Sequence, residues 1–181
     1  RLQPRDWLAE NARAFPPLQA GRYYIHGSHE AAPPPPQSLA IVIDAGAAFG
    51  TGEHPSTRGC LLALDALARR RRFRATLDMG CGAGLLAIAM AKTWRRPVVA
   101  CDIDPIAADV ARANAEANGV GGRVRTGQGD GYRAALVRRG APYDLIVANI
   151  LARPLRRMAS ALAGALARPG VVVLSGFLER D

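Results

Sequence analysis

A glycine turn behind an aspartate is the stretch of this sequence whose residue types most directly indicate ligand chemistry. Asp78, Gly80, Gly82 and Gly84 form the pattern DxGxGxG within TLDMGCGAG. Glycine suits a backbone that bends sharply and lies against a ligand. A dinucleotide turn of the GxGxxG kind would place its third glycine at position 85, where this chain has Leu85. The spacing therefore favours S-adenosylmethionine, whose ammonium and carboxylate groups need polar partners of both signs, over a pyrophosphate.

A second acidic residue follows at the distance expected for a ribose contact. Residues 98–101 form an apolar run that predicts a central parallel strand, and Asp102 ends it, about 20 residues after the turn. We expect the Asp102 carboxylate to accept hydrogen bonds from both ribose hydroxyls. Asp104 precedes Pro105 and is assigned the ordinary role of capping the next helix.

Three further polar residues are candidates for ligand contact. Thr57 lies in the first turn of an amphipathic helix predicted over residues 55–70, where its hydroxyl would either bond a ligand carboxylate or cap the helix. Asp130 follows a predicted strand and would either recognise an adenine amine or serve as an ordinary turn residue. Asn149 ends a buried strand, where ligands bind in open α/β sheets.

Strands and helices alternate along most of the chain. This order predicts a Rossmann-like α/β fold with a mainly parallel sheet and helices on both faces. The strands of the sheet are predicted at residues 76–79, 98–101, 123–126, 143–148 and 170–175. We expect the fold to be truncated at both ends, since no closing strands follow Ser175.

The amino-terminal part differs in character from the rest. A short helix is predicted near residues 6–14 and a strand near residues 22–26, followed by the extended loop AAPPPPQS. We interpret residues 1–38 as a linker segment and residues 39–181 as the ligand-binding domain, which begins with a strand at residues 39–43.

The composition indicates the number of domains and the kinds of partner that the chain could bind. The chain has 181 residues, of which 49% are hydrophobic and 22% charged, as expected for one globular domain with a real core. Its formal net charge is +9, and Lys92 is the only lysine. Such a charge suits an acidic or nucleic-acid partner, but the excess of arginine and alanine is equally consistent with a compositional bias.

Neither a disulfide framework nor a metal site is expected. Cys60, Cys81 and Cys101 are odd in number, far apart and set among apolar residues, which favours a reduced cytoplasmic setting. His26 and His29 lack a third ligand nearby. No apolar run reaches the ~18–20 residues of a membrane span, so we expect no membrane partner.

Five segments, in their order and spacing, resemble the ribosomal protein L-eleven methyltransferase (PrmA-type) family. The resemblance covers roughly residues 40–178, and the combination of GTGxHPxT with ANILA is its most specific part; the segments are AFGTGEHPSTRGCLLALD, LDMGCGAGLLAIAMAK, VVACDIDPIAADVARANAEANG, YDLIVANILARPL and RPGVVVLSGFL. It implies a class I S-adenosylmethionine-dependent methyltransferase fold. It also implies methyl transfer to lysine side chains and the amino terminus of a large-subunit ribosomal protein, with no requirement for nucleic acid.

The same resemblance implies particular site residues. Cofactor contacts carry over to Thr57, Gly80, Asp102 and Asn149; further candidates are Gly82, Asp130 and Phe49. The Asn149 side-chain oxygen, or the backbone carbonyls beside it, would orient the lone pair of the acceptor amine, which makes Asn149 the catalytic candidate. The separate amino-terminal domain that recognises the ribosomal protein in this family is expected to be absent or represented by its trailing linker.

Two alternatives from other functional classes remain. A nucleic-acid methyltransferase acting on an adenine amine would suit the positive charge, but such enzymes follow the asparagine with prolines and a stacking aromatic, where this chain has Ile150 and Leu151. A non-catalytic fragment with the cofactor fold is the second alternative. Against it, every residue of the glycine turn is present together with Asp102 and Asn149.

Overall fold

Two sheets, one small and one large, occupy the part of the chain that the computed structural model describes, residues 16–44 and 55–176. The small sheet contains β1 (Leu18–Ala20), β2 (Tyr23–His26) and β3 (Leu39–Val42). The large sheet contains β4 (Thr76–Met79), β5 (Val98–Asp102), β6 (Val124–Gln128), β7 (Tyr143–Asn149) and β8 (Leu166–Ser175). The helices are α1 (Pro55–Ala68), α2 (Leu85–Trp94), α3 (Pro105–Ala117), α4 (Ala135–Gly140) and α5 (Ala152–Ala165), with a 3-10 turn at Gly131–Arg133. The helix predicted near residues 6–14 lies outside the described residues.

The large sheet is parallel throughout, in the order β6-β5-β4-β7-β8. Strand β4 is buried at every residue and lies between β5 and β7, with Asp78 opposite Ala100 on one side and Val147 on the other. The strand order reverses at β4, and in open α/β sheets ligands bind outside the carboxyl ends of the strands at such a reversal. The prediction of a mainly parallel Rossmann-like sheet is confirmed.

Helices cover both faces of this sheet, and successive side chains of β7 pack alternately on one face and on the other. Leu145 and Val147 pack on one face, which α1, α2 and α3 cover, and Ile146 and Ala148 pack on the other, which the 3-10 turn, α4 and α5 cover. Helix α2 is buried throughout residues 85–91, which explains its uniformly apolar sequence. The predicted placement of helices on both faces is therefore also confirmed.

The small sheet packs against α2 through two polar contacts as well as through its apolar side chains. The hydroxyl groups of Tyr23 and Thr93 lie 2.8 Å apart. The Lys92 ammonium donates to the carbonyl oxygen of Ala40 at 2.6 Å. Burial lowers the pKa of Lys92, because desolvation penalises its charged form.

An ion pair with a buried carboxylate connects the β1–β2 turn to α1. The Asp65 carboxylate, 6% exposed, accepts hydrogen bonds from Arg22 at 2.6 Å and from Arg69 at 2.7 Å. Burial on its own would raise the pKa of Asp65, but the two guanidinium groups outweigh it and hold that pKa below its ordinary value. Gly21, at φ 59°, brings the turn so close that a Cβ atom there would lie 2.8 Å from the Asp65 side chain.

The side-chain amide of Asn118 binds both backbone groups of one residue in β3. Its Oδ1 accepts from the Val42 N–H at 2.9 Å, and its Nδ2 donates to the Val42 carbonyl at 2.8 Å. Because Asn118 caps the carboxyl end of α3, this pair fixes β3 against that helix. The contact therefore holds Val42, the last residue of β3, in place against the end of α3.

Candidate functional site

The glycine turn lies immediately beyond β4, at the reversal of strand order. Gly80, Gly82 and Gly84 all adopt positive φ angles, 72°, 52° and 82°, which residues with a Cβ atom rarely adopt. The backbone N–H of Gly80 donates to the Cys101 carbonyl at 2.8 Å, which holds the turn against the end of β5. A Cβ atom on Gly80 would lie 2.2 Å from Ile150 Cγ2, so glycine is required by space as well as by conformation.

The Asp102 carboxylate connects the glycine turn to the start of α3. Its Oδ2 accepts from the backbone N–H of Gly82 at 2.9 Å, and its Oδ1 accepts from that of Asp104 at 3.0 Å. Each carboxylate oxygen has a second lone-pair site, so Asp102 retains acceptor capacity for a pair of hydroxyl groups. Asp104 caps α3 by accepting from the Ile106 N–H at 2.9 Å, as the sequence predicts.

Asp78 supports the turn from inside the protein. Its side chain is 1% exposed, and its Oδ2 accepts from the backbone N–H of Ala87 at 2.9 Å, near the start of α2. Burial raises the pKa of Asp78 to about 7, the Ala87 hydrogen bond opposes that rise, and the Asp102 charge adds to it. The Asp78 carboxyl is therefore a structural group behind the site.

Asn149 and Thr57 come together at the carboxyl end of β7, although they are far apart in sequence. The Asn149 Nδ2 donates to the Thr57 Oγ1 at 3.1 Å, and Thr57 is 2% exposed. Asn149 itself is half-buried and pairs in register with Ser175 of β8. With its amide hydrogen directed to Thr57, the Asn149 side-chain oxygen remains available as an acceptor.

The remaining sequence candidates lie apart from this group or outside the described residues. Asp130 follows β6, and its side chain is 74% exposed, with the Arg133 guanidinium 3.8 Å away. Phe49 lies outside the described residues. The described structure thus brings Gly80, Gly82 and Asp102 into one hydrogen-bonded unit, and Thr57 and Asn149 into a second.

Sequence reasoning did not predict the exposure of three apolar side chains near the ends of the central strands. Ile103, Ile106 and Leu151 have exposed fractions of 70%, 60% and 73%. Ile103 directly follows Asp102, and Leu151 stands two residues after Asn149. The usable sequence signal was an apolar residue placed just after a strand-ending polar one.

The thiols at this end of the sheet are not suited to nucleophilic chemistry. Burial raises the pKa of Cys60 and of Cys101 to about 11, and burial likewise raises that of Cys81. Over residues 16–44 and 55–176 no cluster of three His, Cys, Asp or Glu side chains is positioned to hold a metal ion. None of the helices within those same ranges is long and apolar enough to cross a membrane.

Comparison with known proteins gives consistent matches. The family model described as ribosomal protein L11 methyltransferase (PrmA) matches residues 1–181. A curated relative from Mesorhizobium japonicum, named ribosomal protein L11 methyltransferase, is 49% identical over 176 residues, which make up 97% of this chain and 61% of that protein. The chain spans about three fifths of the length of the curated relatives it matches.

Solved structures agree on the fold. The crystal structure of a ribosomal protein L11 methylase from Lactobacillus delbrueckii subsp. bulgaricus matches with a TM-score of 0.75 at 29% identity, covering 90% of this chain and 81% of that one. An RNA methyltransferase from Salinibacter ruber, in complex with S-adenosyl-L-homocysteine, matches with a TM-score of 0.53 at 24% identity, covering 63% of this chain and 72% of that one. At that identity the second match speaks for the fold alone.

Proposed function

The chain belongs to the ribosomal protein L11 methyltransferase (PrmA) family, and we propose that it binds S-adenosylmethionine and transfers methyl groups to amines of a large-subunit ribosomal protein. The observation that carries this proposal is the convergence of the glycine turn, Asp102 and the Asn149–Thr57 pair at the carboxyl ends of β4, β5 and β7. That edge is where ligands bind in open α/β sheets.

The residues at this edge fit the chemistry of the cofactor. The free lone pairs of the Asp102 carboxylate suit the two ribose hydroxyls, and the turn around Gly80 and Gly82 allows close backbone approach. Exposed Ile103 offers an apolar surface to the adenine ring, and Asp130 is proposed to meet the adenine amine. Phe49 remains a proposed contact from the sequence. When bound, S-adenosylmethionine supplies a methyl group already activated on a sulfonium.

Asn149 is proposed to act on the acceptor amine. Methyl transfer needs the nitrogen lone pair free, and a lysine of ordinary pKa ~10.4 reaches that state more readily in a desolvated site. The Asn149 side-chain oxygen, held by the Thr57 contact on the other end of the amide, would accept a hydrogen bond from the amine and aim its lone pair. No covalent enzyme intermediate is required, because the methyl group is already activated on the sulfonium and the amine can displace it in one step. Positioning supplies up to ~7–11 kcal/mol in well-oriented systems.

The domain assignment completes the proposal. We propose residues 39–181 as the S-adenosylmethionine-binding unit and residues 1–38 as a linker to a region that recognises the ribosomal protein. The Arg22–Asp65 ion pair and the Tyr23–Thr93 hydroxyl contact attach that linker to the catalytic unit. A cytoplasmic location is proposed because the curated relatives are named for a ribosomal protein substrate.

The deciding experiment titrates the full chain with S-adenosylmethionine by calorimetry, with Asp102→Ala as the site variant. Asp109→Ala is the matched control, since it removes one carboxylate from an exposed surface pair with Arg112. We expect Asp102→Ala to abolish measurable binding and Asp109→Ala to leave it unchanged. Thermal unfolding of both variants checks that the chain remains folded, because Asp102 also accepts two backbone hydrogen bonds.

Tritium transfer then identifies the acceptor. Label from S-adenosylmethionine should enter isolated ribosomal protein L11 and be absent from RNA and DNA substrates. Incorporation into nucleic acid instead would favour the adenine-amine alternative, and binding without any transfer would favour the non-catalytic alternative. The names of the curated relatives favour the protein acceptor.

A further inference from the structure

Three arginines occupy the first two turns of α5, just beyond the proposed site. Arg153, Arg156 and Arg157 are exposed and border one shallow, open depression on the surface. We call these three residues the arginine surface. Helix α5 contains no acidic residue along its whole length, ARPLRRMASALAGA, so nothing on the helix itself neutralises them.

This arrangement is electrostatically unfavourable for the isolated fold. The amino-terminal end of a helix carries partial positive charge and favours acidic side chains, whereas α5 presents cations there. Arg153 and Arg157 are four residues apart and Arg153 and Arg156 three apart, so they are neighbours on the helix surface and repel one another. Among the salt bridges of the described residues, none involves the arginine surface. A bound polyanion would relieve this repulsion.

The arginine surface borders the proposed methyl-transfer site. Helix α5 begins three residues after Asn149, at the carboxyl end of β7. The 3-10 turn packs against the same helix, since a Cβ atom on Gly131 would lie 2.5 Å from the sulfur of Met158. That turn also carries the exposed Arg133, whose guanidinium lies 3.8 Å from the Asp130 carboxylate.

We propose that the arginine surface binds the phosphate backbone of RNA next to the site of methyl transfer. Planar guanidinium groups donate in pairs to phosphate oxygens, and a cluster of them on one face is the electrostatic footprint of nucleic-acid binding. The location of the RNA beside the site rests on the proposed function. Each nucleotide of RNA carries a negatively charged phosphate, so RNA would be attracted to arginines that no acidic residue of α5 offsets.

The test measures binding of a short fluorescein-labelled RNA hairpin to the full chain by fluorescence anisotropy over a series of KCl concentrations. The variant Arg153→Gln/Arg156→Gln/Arg157→Gln should weaken binding about tenfold or more, and should lower the salt slope by about one for each phosphate that is no longer neutralised. The matched control, Arg70→Gln/Arg72→Gln/Arg96→Gln, removes the same formal charge from exposed arginines near the amino ends of the strands. It should change RNA affinity by less than about twofold.

Three outcomes would overturn the proposal. The first is that the parent chain does not bind RNA at low salt, and the second is that both triple variants lose RNA affinity equally. The third is that polyglutamate at matched charge displaces the RNA, which would favour an acidic protein segment as the partner. Methyl transfer to isolated ribosomal protein L11 is measured in parallel. The absence of methyl transfer would count against the proposed function. The anisotropy measurement would still decide independently whether the arginine surface binds RNA.

Discussion

The Asn149 side-chain amide donates to the Thr57 hydroxyl at 3.1 Å and so joins the end of β7 to the first turn of α1. Thr57 is buried, whereas Asn149 is half-buried and faces the edge of the sheet where the ligand is proposed to bind. One end of the amide is thereby held by the protein interior, and the other end is free to act on a substrate. Thr57 is consequently a positioning residue for Asn149 as well as a candidate for cofactor contact.

Replacement of Thr57 tests this relationship. Thr57→Val keeps the shape of the side chain and removes its hydroxyl, so the Asn149 amide loses a partner worth about 1 kcal/mol and its orientation is released. We expect the rate of methyl transfer to fall about tenfold, with a fall in stability of about 1 kcal/mol. Thr57→Ser, which retains the hydroxyl, should stay within about threefold of the parent rate. A valine variant as active as the parent would contradict the positioning role.

Gly80 combines two separable constraints, one conformational and one steric. Gly80→Ala places a Cβ atom against Ile150 Cγ2 and also adopts φ 72°, which costs roughly 1–2 kcal/mol for a residue with a Cβ atom. The single variant should lose S-adenosylmethionine binding and several degrees of thermal stability. Gly80→Ala/Ile150→Ala removes the clash and should recover part of the stability, leaving the conformational cost. No recovery at all would show that the overlap with Ile150 is unimportant.

The buried Asp78 carboxyl predicts a specific pH dependence of stability. Its pKa is about 7 in the folded protein and ~3.9 in the unfolded chain, so the folded state binds the proton more tightly. The stability that protonation contributes is complete below about pH 4 and is lost as pH rises to about 7, with an upper limit of about 4 kcal/mol.

Denaturant unfolding at pH 5 and pH 8 measures this effect in the parent and in Asp78→Asn. The asparagine cannot ionise but keeps an oxygen acceptor for the Ala87 N–H. The parent should lose more stability than Asp78→Asn between these two pH values. Parallel losses in the two proteins would mean that Asp78 does not titrate in this range.

The arginine surface should cost stability when no polyanion is bound. Arg153, in the first turn of α5, is unfavourable by about 0.3–1 kcal/mol, and its repulsion with Arg156 and Arg157 adds about 0.2–0.5 kcal/mol for each pair. The triple glutamine variant of Arg153, Arg156 and Arg157 should therefore be more stable than the parent by about 1 kcal/mol in urea at low ionic strength. The difference should shrink at high salt, because these side chains are exposed and screened. A less stable variant would show that the arginines stabilise the helix through packing.

The sequence predicted those features that depend on residue type and local spacing. The Asp104 cap, the glycine turn and the position of Asp102 at the end of β5 all belong to this class. The contact between Thr57 and Asn149 joins residues 92 positions apart, and no local pattern specifies such a pair. The same is true of the contact between Asp65 and Arg22, which are 43 positions apart, whereas Arg69 is a local partner four residues after Asp65.

The structure does not test the proposed cofactor contacts of Asp130 and Phe49. Asp130 is located in a turn, as the sequence predicted, but its role toward an adenine amine stays a prediction. Phe49 also stays a prediction. From the sequence, Ile103 has no assigned role, and Leu151 is named only as a residue in place of a stacking aromatic. The exposure of both side chains is evident only from the folded structure.

The Asn118–Val42 pair gives two adjacent amides of the chain different exchange behaviour. The Val42 N–H donates to a side chain of α3, whereas the next N–H, that of Ile43, donates to the backbone of His26 in β2. Hydrogen exchange at Ile43 therefore reports opening within the small sheet. Exchange at Val42 reports separation of that sheet from the helix layer, so the two events can be timed independently at neighbouring positions in one protein.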